Sequence, residues 1–298
     1  VSFARAGYDV RLWDPAPGAA RSAKEYVKTL LPEMEEAGLL GTRSQAKVCE
    51  LISAVSTLEE AVSGVCHVQE NAPEDLQTKI QLFAELDALA PSDAIIASST
   101  SALLPSAFTE KTPGRTRCIV AHPVNPPHLI PLVEIVPAPW TDEATIARTE
   151  ALMLDVGQSP VVIQREIDGF LLNRLQAALL DEAFRLVDGG YAKAQDIDAC
   201  MRDGLAMRWV FMGPFETIDL NAPGGVRDYV ARYQGMFRRM TDTMRHSADW
   251  SGAVLNHVEE SRRASLETDQ LQARQIWRDR KLMAVAAFRR KELADLSK

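Results

Sequence analysis

The sequence predicts an α/β protein, a doubly wound sheet in the first half followed by an all-α domain. Three observations carry this. Short apolar runs alternate with helical stretches as far as Gln164. Most of those runs are β-branched with little polar alternation, as in strands of a parallel sheet buried on both faces. Beyond them, apolar residues recur at three- and four-residue spacing and no strand-like run follows.

Strands are expected at 9–13 (DVRLW), 61–69 (AVSGVCHVQ), 94–99 (AIIASS), 117–122 (RCIVAH), 132–137 (LVEIVP) and 160–164 (PVVIQ). Helices are expected between them at 19–37, 44–52, 74–90 and 142–156. Pro73 followed by Glu74 and Asp75 marks a helix start, because proline and acids suit a first turn. Such β-α-β alternation indicates a Rossmann-like domain. The second half reads as helices at 168–190, 193–203, 225–246, 250–265 and 268–295. The domains are therefore 1–165, α/β, and 166–298, helical, entered through Asp168-Gly169.

Composition removes several function classes. A chain of 298 residues is long enough for two cores. Its 46% hydrophobic and 25% charged residues are ordinary for a soluble protein. No apolar run approaches the ~20 residues that cross a bilayer, and VSFARAGYDV does not read as a secretory signal. Net charge is −8 with the basic residues scattered, which argues against nucleic-acid binding. The basic runs at 238–239, 262–263 and 289–291 read as solvated helix faces. Cys49, Cys66, Cys118 and Cys200 form no CxxC, so neither a metal site nor a disulfide framework is expected, and a reducing cytoplasm fits.

A Rossmann unit normally opens with a strand, a GxGxxG loop, a helix and a second strand ending in an acid. This sequence enters that unit part-way. FARAG (3–7) reads as the end of the first helix, DVRLW as the second strand, and Asp14 as its terminal acid. The first strand and glycine-rich loop are missing from the pattern. In the full motif the acid binds the adenosine ribose and favours NAD over NADP. By itself, an Asp after a strand is more often a turn former.

Three segments make the reading specific: AIIASSTSAL (94–103), CIVAHPVNPPHLIPLVEIVP (118–137) and DGFLLNRL (168–175). They resemble the 3-hydroxyacyl-CoA dehydrogenase superfamily. VQENAPEDLQTK (68–79) and GLAMRWVFMGPFETIDLNAPGG (204–225) resemble its lambda-crystallin branch, the L-gulonate 3-dehydrogenases. The resemblance implies NAD as cofactor, a small hydroxy-acid substrate and a homodimer formed through the helical domain. It also implies a chain truncated at its N-terminus by about one strand and its glycine loop.

His122 and Glu134 form the expected catalytic pair. Oxidising a secondary alcohol needs a base for the hydroxyl proton, and histidine titrates near working pH. A carboxylate on the other ring nitrogen fixes the tautomer and stabilises the imidazolium. His122 ends one strand-like run and Glu134 lies in the next, so the two can meet. On the residues alone, a packed structural histidine is an equal reading; the HPVNP context turns it towards catalysis.

The resemblance further implies that Asn173 and Ser101 hold the substrate oxygen, Ser101 close to the nicotinamide. It places Asn125, of the HxxNP motif, near the nicotinamide, and Glu74 and Lys79 on the nicotinamide-ribose side. Each has a plainer reading: an interdomain hydrogen bond for Asn173, a cap or turn for Ser101 and Asn125, a helix-start acid for Glu74, a surface lysine for Lys79. His67 reads as a packed residue and His128 as a loop residue. His246 and His257 offer no metal pairing.

One segment departs from acyl-CoA enzymes, which read through a GxPMGP-like turn. Here GLAMRWVFMGPFE places Arg208 and Trp209 ahead of it. An arginine fork matches a carboxylate, so a free, L-gulonate-like 3-hydroxy acid is expected, although a salt bridge at a dimer interface suits Arg208 equally. The runner-up is an L-3-hydroxyacyl-CoA dehydrogenase. From another class come a non-catalytic, crystallin-like structural protein and an inactive fragment without the amides that cradle a pyrophosphate.

Overall fold

The computed structural model describes residues 1–248 and 250–292. Among these, the first half forms two sheets. The smaller pairs β1 (Val10–Leu12) with β2 (Ile52–Ala54) in parallel. The larger runs in the order β3 (His67–Glu70), β4 (Ile95–Ser98), β5 (Cys118–Pro123), β6 (Leu132–Pro137) and β7 (Ser159–Val162). Its strands are parallel neighbours except β5 and β6, which run antiparallel. The connection 124–131 is shorter than the dozen or so residues a parallel crossover needs, so the chain turns straight back. An all-parallel sheet is thus corrected at the point that matters most for the site.

The strands β4 and β5 are buried almost throughout because both faces are covered. Ile96, Cys118 and Val120 pack with Phe83, Phe108 and Phe170 on one side. Ile95, Ala97, Ile119 and Ala121 pack with Met153 and Val156 on the other. Successive side chains point to opposite faces, which explains the missing polar alternation.

The helices of this half are α1 (Ser2–Ala6), α2 (Ala19–Glu36), α3 (Gln45–Glu50), α4 (Leu58–Val62), α5 (Leu76–Leu89), α6 (Pro105–Thr109) and α7 (Glu143–Asp155). Three boundaries differ from expectation. The strand expected at 61–69 begins only at His67, because Thr57 caps α4 and accepts from the Glu60 amide at 3.2 Å. The helix expected at 44–52 gives way to β2, whose partner β1 is remote in sequence. Asp75, accepting from the Thr78 amide at 2.8 Å, is the cap of α5, which leaves Glu74 outside the helix.

The second half contains α8 (Leu172–Asp188), α9 (Ala194–Ala199), a π-helical turn at Cys200–Leu205, α10 (Ala206–Trp209), α11 (Pro214–Leu220), α12 (Gly225–Met244), α13 (Gly252–Ser265) and α14 (Leu271–Glu292). The chain divides into one compact unit of Val1–Asn173 with Asp279–Arg290, and another built on Arg174–Arg278. Part of the expected 166–298 domain therefore belongs with the first unit. There Met283 is buried among Ala4, Leu31, Met34, Leu40 and Leu129. Arg280 clasps Glu33 with contacts of 2.9 and 2.7 Å, and Arg290 donates to the Gly38 carbonyl at 2.7 Å. No described helix is long and apolar enough to cross a membrane.

Candidate active site

The antiparallel register of β5 and β6 sets His122 directly opposite Glu134. Directly paired residues point to the same face of a sheet, and here the side chains meet: Nδ1 of His122 lies 2.9 Å from Oε2 of Glu134. Both are buried, at 6% and 1% exposure. Oε1 of Glu134 accepts from the backbone amides of Leu171 at 2.8 Å and Leu172 at 2.9 Å, where α8 begins with unpaired N–H groups. Burial opposes ionisation of Glu134, but the His122 bond and these two amides outweigh it and hold the carboxyl below its usual range. An ionised carboxylate only accepts, so Nδ1 donates, and in the neutral ring Nε2 is then the nitrogen with the lone pair. Among the described residues Nε2 has no hydrogen-bond partner.

Ser101 and Asn173 are brought together as well. Nδ2 of Asn173 donates to the Ser101 carbonyl at 2.8 Å. The turn after β4 that carries Ser101 is tied down by Glu74, whose Oε1 accepts from the Thr100 hydroxyl and from the amides of Ala102 at 3.1 Å and Leu103 at 3.3 Å. Burial pushes the Glu74 carboxyl up, and these donors overcome it, so it stays below its usual range. Glu74 is thus neither a helix residue nor an idle acid: it holds the serine turn.

Lys79 corrects its expectation as a surface lysine. It is wholly buried, with Nζ 3.0 Å from each oxygen of Glu70 and 3.3 Å from the Ala72 carbonyl. Ser98 donates its hydroxyl to the same carboxylate, and the Ala72 amide donates to it too. Ser99 bonds the Glu70 carbonyl at 2.9 Å. Glu70 and Ser98 are residues that sequence reasoning missed. The available signal was an acid closing β3 with a lysine in the first turn of α5.

Asp14 lies just past β1, exposed, with Oδ1 accepting from the Ala16 amide at 2.8 Å, so it does form a turn. Asn125 is exposed on the β5–β6 loop and precedes Pro126 through a cis peptide bond. Arg208 is exposed on α10, in the second unit. Burial drives the imidazoles of His67 and His128 down to about 4, helped at His128 by neighbouring positive charge.

Asp14, Glu70, Ser98–Ser101 and His122 all lie at or just past the carboxyl ends of β1, β3, β4 and β5. That edge is where open α/β sheets bind ligands. An exposed carboxylate after β1 suits a ribose, while an oriented imidazole near the end of β5 suits proton transfer. No GxGxxG occurs in the sequence, so no pyrophosphate cradle is assigned.

Comparison with known proteins bears on the same residues. Residues 1–167 match the 3-hydroxyacyl-CoA dehydrogenase, NAD binding domain, and residues 169–265 match the 3-hydroxyacyl-CoA dehydrogenase, C-terminal domain. Lambda-crystallin of Oryctolagus cuniculus is 42% identical over 291 residues, covering 97% of this chain and 91% of the relative. L-carnitine dehydrogenase of a Pseudomonas species is 36% identical over 280 residues, covering 94% and 86%. Among solved structures, the 5-formyl-3-hydroxy-2-methylpyridine 4-carboxylic acid 5-dehydrogenase, an NAD+ dependent dismutase, superposes with a TM-score of 0.82 at 27% identity, covering 97% of this chain and 93% of that one.

Proposed function

This chain belongs to the 3-hydroxyacyl-CoA dehydrogenase family of NAD-dependent CH–OH dehydrogenases, and on that premise we propose that it oxidises a free 3-hydroxy acid, L-gulonate or a close relative, to the 3-keto acid. The observation that carries the reading is the imidazole of His122, held by Glu134 through Nδ1 at 2.9 Å.

NAD, when bound, supplies the acceptor for the hydride leaving the carbinol carbon. The chain's own part is proton handling and orientation. His122 takes the hydroxyl proton at Nε2, and Glu134 stabilises the imidazolium that forms. Asn173 spends one amide hydrogen on Ser101 and has a second for the substrate oxygen, beside the Ser101 hydroxyl. Asp14 accepts from the adenosine ribose, and Asn125 and Glu74 serve the nicotinamide end. Lys79 serves it from within, by holding Glu70 and the chain around Ala72.

Two observations support a free acid over a thioester. Arg208 offers an exposed guanidinium suited to a carboxylate. One relative is named for L-carnitine, itself a free 3-hydroxy acid. Rates of NADH formation on L-gulonate, L-carnitine and 3-hydroxybutyryl-CoA test this, and a clear preference for the thioester removes the free-acid reading. NAD-dependent turnover of none of the three would favour the crystallin-like structural role.

We also propose a cytoplasmic homodimer. On α12, Val226, Val230, Tyr233, Phe237, Met240 and Met244 are each 39–44% exposed. Their alternating four- and three-residue spacing makes one apolar seam of the coiled-coil kind. A monomeric mass by light scattering would count against it. The thiols of Cys49, Cys66, Cys118 and Cys200 are all free, which supports a reducing compartment.

A further inference from the structure

Among the described residues, Phe170 is the one non-glycine residue in the left-handed region, at φ 50°, directly after Gly169 at φ 75°. Its side chain is completely buried. A bulky residue is sterically disfavoured in this conformation. Such a residue persists where its surroundings over-determine it, and these places cluster at functional sites.

Three contacts show what over-determines it. The Phe170 amide donates to the Ile167 carbonyl at 3.0 Å, closing a turn. The next two amides, of Leu171 and Leu172, both converge on Oε1 of Glu134 at 2.8 and 2.9 Å. Successive amides on one oxygen form a concavity of the kind that binds anions, and here the anion is the protein's own carboxylate. The Phe170 ring meanwhile packs on the imidazole of His122, with centroids 5.5 Å apart and planes inclined by 58°.

The geometry points to Phe170 as a positioning residue for His122: its ring packs against the imidazole in a tilted contact, while its left-handed backbone turns the following amides onto Glu134. The ring of His122 is then constrained twice. Nδ1 is held by a carboxylate that two backbone amides fix in place, and the tilted ring of Phe170 packs against the imidazole. Only a rotamer presenting Nε2 away from Glu134 satisfies both. The same turn delivers Asn173 to the Ser101 carbonyl, so one irregular residue bears on three side chains of the site, those of His122, Glu134 and Asn173. This inference rests on His122 being the base.

A phenylalanine that merely fills the core would affect stability and leave His122 alone, and that difference can be measured. Phe170→Leu keeps apolar bulk but lacks a flat face. Phe170→Gly removes the ring while relieving the left-handed backbone, so it carries the test should the leucine variant not fold. Chains labelled with [15N]histidine report each ring's tautomer by NMR, the His122 signals being identified by their absence in His122→Gln. The wild-type ring should show a single Nδ1–H tautomer with a strongly deshielded proton. In a folded Phe170 variant that proton should lose its deshielding and the tautomers should mix. On whichever probe acid the wild type turns over, kcat should fall about tenfold while KM for NAD changes less than about twofold. An unchanged tautomer and proton shift in a folded variant overturns the inference alone. An Nε2–H tautomer in the wild-type chain overturns the reading of His122 as base, and this inference with it.

Discussion

His122 and Glu134 are cross-strand partners, paired in register on antiparallel neighbours and joined by a 2.9 Å bond between Nδ1 and Oε2. Because Glu134 also accepts two backbone amides, its carboxylate is fixed before any substrate arrives. Glu134→Gln should leave the fold intact, since its one amide oxygen can still accept the Leu171 and Leu172 amides, yet lower kcat by roughly 10²- to 10⁴-fold, because its NH2 cannot accept from Nδ1 and the charge that stabilises the imidazolium is gone. Steady-state kinetics beside a thermal melt checks this; a glutamine variant with normal kcat removes the carboxylate from the mechanism.

Asn173 reaches the Ser101 carbonyl with one amide hydrogen, and the proposed mechanism gives the other to the substrate oxygen. Asn173→Ala should therefore reduce kcat/KM by about 10²-fold. Binding of NADH, followed by its fluorescence, should change little. A loss confined to NADH affinity would reassign the residue to the cofactor.

Lys79 and Glu70 form a buried pair, each with about 1% of the side chain exposed. Lys79→Met strands the Glu70 charge in the interior and should cost about 3–5 kcal/mol of stability. Lys79→Met combined with Glu70→Gln should recover part of that loss, because no charge is then buried alone. Urea midpoints of the single and double variants decide the matter; equal midpoints for Lys79→Met and wild type contradict the prediction.

Acid should weaken the fold through His67 and His128. Burial lowers both imidazoles from 6.5 to about 4, so the native state refuses protons that the unfolded chain accepts. The sign follows: their contribution is complete above about 6.5 and is lost progressively as pH falls towards about 4. His67→Phe, beside Phe3 at 5.6 Å between ring centres, should flatten part of that slope. Urea melts at several pH values test it, and identical slopes for the two proteins would show that His67 does not titrate in this way.

Arg208→Met addresses substrate choice. If the guanidinium binds a carboxylate, KM for the preferred free acid should rise about ten- to a hundredfold, as expected for a lost charge-assisted bond. Activity towards 3-hydroxybutyryl-CoA should be far less affected. A normal KM for the free acid would leave Arg208 to a structural role.

Much of this protein was determined by neighbours in sequence. The β-branched runs at β4, β5 and β6, the helix start at Pro73 to Asp75, and the candidate pair His122 and Glu134 depend on side-chain type and on spacing of a few residues. Such features are legible because the physics behind them, rotamer preference and local hydrogen bonding, acts over those distances. Tertiary structure decided the rest. Nothing local sets the register that puts His122 opposite Glu134, places Lys79 inside against Glu70, makes a strand of Ile52–Ala54, or packs Met283 among Leu31 and Met34. The strand and Met283 depend on segments far along the chain, and the register and the burial of Lys79 depend on the core assembled around them. Register and burial are free-energy differences of the assembled fold, and so the residues that prepare this site became visible only when their partners did.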